Sequence, residues 1–198
     1  MANKVRFGLR NVYYAVWTEG SGNTPGSYGT PVAVPGAVQL DISREGSESA
    51  FYADDVKYFT MDTNAGYSGT LEMALIPDTM LQALLGYVVD ADGAIVEDSD
   101  GTQAEFALLF EVQGDADPTR YAFYNCKVSR PENTYETISD TADPQTQSLD
   151  ITMIPRNFAW GTGETKNVVK TNHTRTGDAD TLYTGWFTSV HIPTKPSA

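Results

Sequence analysis

The sequence predicts a mainly β fold, a β-sandwich or barrel-like sheet with one short flanking α-helix and one long connecting loop. Three observations carry that prediction. Apolar residues recur with period two in about eight or nine short stretches, the spacing of half-buried strands. A single stretch, Pro77 to Tyr87, has helical spacing. Turn chemistry punctuates the chain, with Asp-Gly at Asp92-Gly93 and Asp100-Gly101, pairs that tolerate positive φ in hairpins.

Taken in order, Val5, Phe7 and Leu9 alternate, the phase slips across Arg10-Asn11, and alternation resumes at Val12, Tyr14 and Val16. This predicts a strand carrying a bulge or bend. Gly20 to Pro31 is rich in Gly, Pro and Ser and reads as an exposed loop. Alternation returns at Val38, Leu40 and Ile42, then at Tyr67, Leu71, Met73 and Leu75, leaving a long loop over residues 43–66 between the two strands. The helix is predicted over 78–86, with Asp78 as its cap, Leu81, Leu84 and Leu85 on one face and Gly86 as its stop. Phe106, Leu108, Phe110 and Val112 alternate, and after the turn Gly114 to Thr119 the run RYAFYNCKV completes the clearest hairpin. A polar segment from Glu132 to Gln147 precedes a last core strand with Leu149, Ile151 and Met153 inward. Residues 1–155 are therefore expected to form one β-domain. Residues 156–198, polar with apolar islands at Val168-Val169 and LYTGWFTSVHI, form an extension that is either an extra hairpin or a loosely held arm.

The 198 residues suit one domain, and 40% hydrophobic content with 11 Tyr, 8 Phe and 3 Trp is too apolar for a disordered chain. With 26 acids against 13 bases the net charge is -13, which disfavours binding to phosphate backbones and to anionic membranes. No apolar run approaches the roughly 18 residues needed to cross a bilayer. The lone Cys126 has no internal disulfide partner, and MANKVRFGLR lacks the apolar centre of a signal peptide, so cytoplasmic synthesis is expected.

No residue set calls for catalysis, a cofactor or a metal. His173 and His191 are far apart and one cysteine makes no zinc knuckle. Asp90, Asp92 and Glu97 resemble part of a calcium loop, yet Gly93 comes too early and Gly101 stands where an EF-hand needs glutamate. Cys126 lies mid-strand, no G-x-S-x-G elbow occurs, and neither GSGNTPG nor GTGETKN ends as a P-loop must. Asn172-His173-Thr174 matches a glycosylation acceptor without a secretion signal. The stretch FYADDVKYF remains. Asp54 and Asp55 are adjacent, a poor geometry for a glycosidase acid pair, and read as a polar turn between the aromatic half-strands Phe51-Tyr52 and Tyr58-Phe59. Four aromatics in a loop require a covering surface.

Seven ordered segments, NKVRFGLRNVYYA, YGTPVAVPGAVQLDIS, FYADDVKYF, NAGYSGTLEMALIPD, FALLFEVQGD, YNCKVSRPE and PQTQSLDIT, closely resemble the major tail proteins of long-tailed bacteriophages, the phi13-type family. The resemblance runs from Asn3 to Thr152 and does not extend past Pro155. It implies a non-enzymatic tail tube subunit, a virion protein forming hexameric rings that stack into a tube through which DNA passes without specific binding. Tape-measure, tail terminator and baseplate proteins would be its partners. It also implies that the loop carrying Phe51, Tyr52, Asp54, Asp55, Tyr58 and Phe59 packs on neighbouring subunits. Competing readings are a head-tail connector or baseplate ring of the same fold, a receptor- or carbohydrate-binding β-sandwich, and, last, a hydrolase using Asp54 and Asp55.

Overall fold

The structure, a computed structural model, describes residues 3–22, 25–137 and 144–196. Parts of the expected loop (23–24), of the polar segment (138–143) and of the C-terminal extension (197–198) lie outside the described residues. The first half of the chain contains β1 (Arg6–Thr18), β2 (Ser27–Tyr28), β3 (Val32–Ala33), β4 (Ala37–Glu45), β5 (Glu48–Ala53), β6 (Val56–Asp62), β7 (Gly66–Met73), α1 (Asp78–Leu85) and the two short strands β8 (Val88–Val89) and β9 (Ile95–Val96). The second half contains β10 (Phe106–Gly114), β11 (Thr119–Val128), β12 (Gln147–Ile154), β13 (Arg156–Gly161), β14 (Glu164–Val168), β15 (Lys170–Thr174) and α2 (Thr181–Gly185).

The main sheet is antiparallel and runs β2-β1-β10-β11-β12-β7-β4, with β3 also pairing β1 and β15 pairing β11. The segment between β3 and β4 ties its two sides together. Val34 N–H donates to the Val12 carbonyl, and Ala74 N–H donates to the Gly36 carbonyl, each at 2.8 Å. The sheet therefore curls into a barrel-like layer around Val12, Tyr14, Leu71, Phe106, Leu108, Phe123, Leu149 and Ile151, and α1 covers this core with Met80, Leu84 and Leu85. Each fully buried Leu, Ile or Phe contributes about 1.5–3 kcal/mol.

The phase slip in β1 is two irregularities, at Gly8 (φ 69°) and at Asn11 (φ 53°), where the pairing with β10 shifts register. In β7 the alternation Tyr67, Leu71, Met73 passes through Gly69, where a Cβ would lie 2.3 Å from the Asp41 carbonyl oxygen. Only glycine permits that approach of β4. Leu75, expected inward, is exposed because β7 ends at Met73, and Val38 is exposed because the β4 register shifts between Ala37 and Gln39. Helix α1 ends as expected on Gly86 in the left-handed region, but its cap is Pro77; Asp78 is its first residue and makes no side-chain cap bond. Gly93 has φ 88°, and the Asp90 carboxylate accepts from Asp92 N–H and Ala94 N–H, so that acid closes a turn. Glu97 pairs with Arg130 at 2.6 Å.

The C-terminal segment is neither loose nor separate. β15 takes up the first half of β11 on the edge whose second half pairs β12, and the β13–β14 hairpin brings Phe158 back onto the sheet. Trp186, in the segment after α2, is 1% exposed against Ala15, Ala107, Leu109, Ala122 and Tyr124. The alanines leave room for the indole on the outer face of β1, β10 and β11, and its Nε1–H donates to the Tyr121 carbonyl at 3.3 Å. A boundary at residue 155 thus has no counterpart in the packing. The loop expected over Gly20 to Pro31 is likewise anchored: Tyr28 pairs with Trp17 in register, and its hydroxyl donates to the Tyr124 carbonyl at 2.5 Å.

Ionic contacts lock this segment. Glu111 is buried in β10 and accepts from Arg10 (2.6 Å), Arg120 (2.7 Å) and the Tyr183 hydroxyl (2.8 Å). Burial pushes its carboxyl up, but bonds from Arg120, Tyr183 and Arg10 outweigh burial and hold it below the ordinary glutamate value. Arg120 also lies over the rings of Tyr183 and Phe187. The short helix α2, unforeseen from periodicity, starts where the Asp180 side chain accepts from Tyr183 N–H at 2.9 Å. That bond, with another from Thr176 N–H, depresses the Asp180 carboxyl well below its usual range.

Candidate functional site

The expected long loop is a continuous β-hairpin. β4 pairs β7 as far as Glu45 and Gly66, Ala65 N–H donates to the Glu45 carbonyl, Thr63 N–H donates to the Ser47 carbonyl, and β5 then pairs β6 from Glu48 and Asp62 to Ala53 and Val56. Gly46 makes the join possible, since a Cβ there would sit 2.0 Å from the Thr63 carbonyl oxygen. The hairpin is therefore an outgrowth of the edge of the main sheet, with alternation Ser49, Phe51, Ala53 that the aromatic residues around it mask.

Asp54 and Asp55 form the tip, as the polar-turn reading has it. Both have positive φ, 51° and 61°, between the paired Ala53 and Val56. This is the type I′ geometry whose twist matches a two-residue hairpin, and Asp is among the few non-glycine residues that adopt it at low cost. The register shifts between Phe51 and Tyr52, leaving Tyr58 as the extra residue of a bulge.

Pairing and alternation sort the remaining side chains. Phe51 faces Phe59, Ser49 faces Met61, and Ala53 faces Val56, so one face of the ribbon is almost wholly apolar. The other holds Glu48, Asp62, Tyr52 and Lys57, with a Lys57–Glu48 ion pair. Among the described residues nothing covers the apolar face. Phe51, Tyr52, Val56, Tyr58, Phe59 and Met61 are 56–74% exposed. All six residues expected at a subunit contact, Phe51, Tyr52, Asp54, Asp55, Tyr58 and Phe59, thus lie on this one hairpin.

A second surface lies on the solvent face of β4, β7 and β12. Asp41, Thr70 and Asp150 form one row across the three strands, and Gln39, Glu72 and Ser148 the next. The carboxylates are held by neutral donors: Thr70 Oγ1 to Asp150 (2.7 Å), Gln39 Nε2 to Asp41 (2.7 Å) and Thr146 Oγ1 to Glu72 (2.5 Å). Among the described residues, none of these three acids has a cation partner within salt-bridge distance. The face is hydrophilic and negative, and it is not legible in the sequence because which acids share a face depends on the register of three strands.

Cys126 is buried in β11, and burial pushes its thiol up to about 12. Among the described residues no group of three metal-ligating side chains converges, and no helix is long and apolar enough to cross a membrane.

No family model matches the chain, and no curated protein matches it. Among solved structures the chain is similar to a component of the anti-feeding prophage baseplate, determined by cryo-EM and 6-fold symmetrised. The TM-score is 0.45 at 9% identity, with 87% of this chain and 97% of that chain covered.

Proposed function

We propose that the chain is a structural subunit of a bacteriophage tail, assembling into hexameric rings that stack into a hollow tube for DNA. The observation that carries this reading is the uncovered apolar face of the β5–β6 hairpin. A two-stranded ribbon is marginal on its own in water, and an exposed strip containing Phe51, Phe59, Met61 and Val56 is stabilised once a protein surface covers it. The resemblance of the seven ordered segments to major tail proteins points to another copy as that surface.

The acidic face of β4, β7 and β12 suits the wall of a DNA channel. Fixed carboxylates without neighbouring cations repel phosphates, so a duplex slides along the wall instead of adhering. Screening limits this repulsion to about 8 Å at physiological salt, which favours a narrow bore. In this reading the mature protein belongs to the virion, and tape-measure, terminator and baseplate proteins meet the ends of the tube.

Negative-stain electron microscopy of the purified chain across a concentration series tests the proposal. Hollow tubes of uniform width are expected. Rings that never stack would move the assignment to a connector or baseplate ring, and sugar binding by a chain that never associates would move it to a receptor-binding module.

A further inference from the structure

If copies of this chain cover the hairpin, an acceptor surface must exist on the chain itself, and an apolar groove fits that role. It measures about 540 Å³, within the roughly 300–1,000 Å³ of ordinary binding sites, and is lined by Trp17, Gly26, Tyr28, Phe158, Val190 and Ile192. Its wall is built firmly. Trp17 and Tyr28 pack edge to face at 4.7 Å, and the Arg156 guanidinium, ion-paired to Glu105, lies 4.0 Å over the Trp17 ring. Gly26 keeps the indole in place, since a Cβ there would come within 2.2 Å of it.

Charge favours the same match. The hairpin carries Glu48, Asp54, Asp55 and Asp62 against Lys57 alone. Beside the groove, Lys166 is paired in register with Phe158, and Lys195 reaches Glu164 at 2.9 Å. Lys195 is thus already neutralised by Glu164, while Lys166, over the Trp160 ring, has no carboxylate within salt-bridge distance among the described residues and is the cation this border offers to an acidic tip. The two surfaces belong to different strands, β4 and β7 at one end of the strand order and β1 and β2 at the other. Contact between them is heterologous, the class that closes into rings or propagates as filaments.

We infer that the β5–β6 hairpin of one copy seats its Phe51–Phe59 face in the groove of a second copy, with Asp54 and Asp55 directed to Lys166. The inference rests on the self-assembly reading and adds the acceptor that the reading lacks.

Mixing two variants tests it, Ala53→Cys, at the small residue that shares the Phe51 face, and Ser189→Cys, at an exposed residue of the groove. Cys126 is fully buried and leaves no competing thiol at the surface. Mild oxidation of the assembled mixture should give a disulfide-linked dimer joining residues 53 and 189, identified by peptide mass spectrometry, and neither variant alone should give that peptide. A groove-filling Ser189→Trp chain should raise the concentration needed for assembly about tenfold or more, the equivalent of about 1.4 kcal/mol. If Ser189→Trp misfolds, the cysteine pair still decides. Assembly of the mixture without the 53–189 link overturns the acceptor and leaves the tube reading standing. A parent chain that never self-associates overturns both.

Discussion

Phe51 and Phe59 stand opposite one another across β5 and β6, and both rings are uncovered, 62% and 57% exposed. A cross-strand aromatic pair on a core-facing ribbon stabilises a fold; on a ribbon without a core it is stabilising chiefly when something else buries it.

Replacing Phe51 or Tyr58 by alanine should therefore leave the monomer intact. Thermal unfolding should shift by no more than the roughly 0.5 kcal/mol typical of surface substitutions, while assembly, followed by sedimentation, fails or needs much higher protein concentration. A variant with a large loss of thermal stability would show that the hairpin belongs to the monomer's own core.

Hydrogen exchange should separate the hairpin from the sheet it grows from. Amides of β5 and β6 have no covering layer and should exchange far faster in the monomer than those of β10 and β11, then gain protection on assembly. Strong protection of β5 and β6 in the monomer would contradict the account. Asp55→Gly, which suits the positive φ of 61°, should slow exchange in the ribbon by easing its turn.

Much of this was legible in the sequence, and the misses share one cause. The bulge in β1, the β10–β11 hairpin, α1 and the Asp54-Asp55 turn are local features, written in alternation, helical spacing or turn chemistry. The burial of Trp186, the pairing of β15 with β11 and the row Asp41–Thr70–Asp150 depend on contacts between residues far apart in the chain. A hint did exist: Ala107 and Leu109 interleave with Phe106, Leu108 and Phe110, and a run apolar at every position is buried on both faces. The hairpin reads as a loop in the sequence because the adjacent aromatic pairs Phe51-Tyr52 and Tyr58-Phe59 and the bulge at Tyr58 mask its alternation.

The C-terminal segment should prove essential for stability. Trp186→Ala empties a site in the outer core and should cost about 3–5 kcal/mol. Glu111→Ala strands the largely buried Arg120 and should cost about 3 kcal/mol, whereas a loosely held arm would tolerate both changes in thermal unfolding.

The same glutamate gives a pH dependence with a definite sign. Its folded-state carboxyl titrates below the ordinary value of 4.5, so near that pH the unfolded chain binds more protons than the folded one. The stabilisation is complete above 4.5 and is lost as pH falls below it. Between pH 5 and pH 3, thermal stability of the parent should fall more steeply than that of Glu111→Gln.

Reversing charge on the acidic face should leave assembly unchanged and alter what the assembly does to DNA. Tubes of an Asp41→Lys, Asp150→Lys chain should retain duplex DNA at low salt and release it as salt rises, the signature of phosphate contacts. Parent tubes should retain none, and retention by the parent at low salt would argue against a repelling wall.

The central claim is that the uncovered face of the hairpin is the assembly surface. Electron microscopy of the parent chain and of Phe51→Asp, at matched high concentration and with the variant's fold verified by thermal unfolding, tests it most directly. The account predicts tubes of uniform width from the parent and dispersed monomers from the variant; identical tubes from both would contradict it.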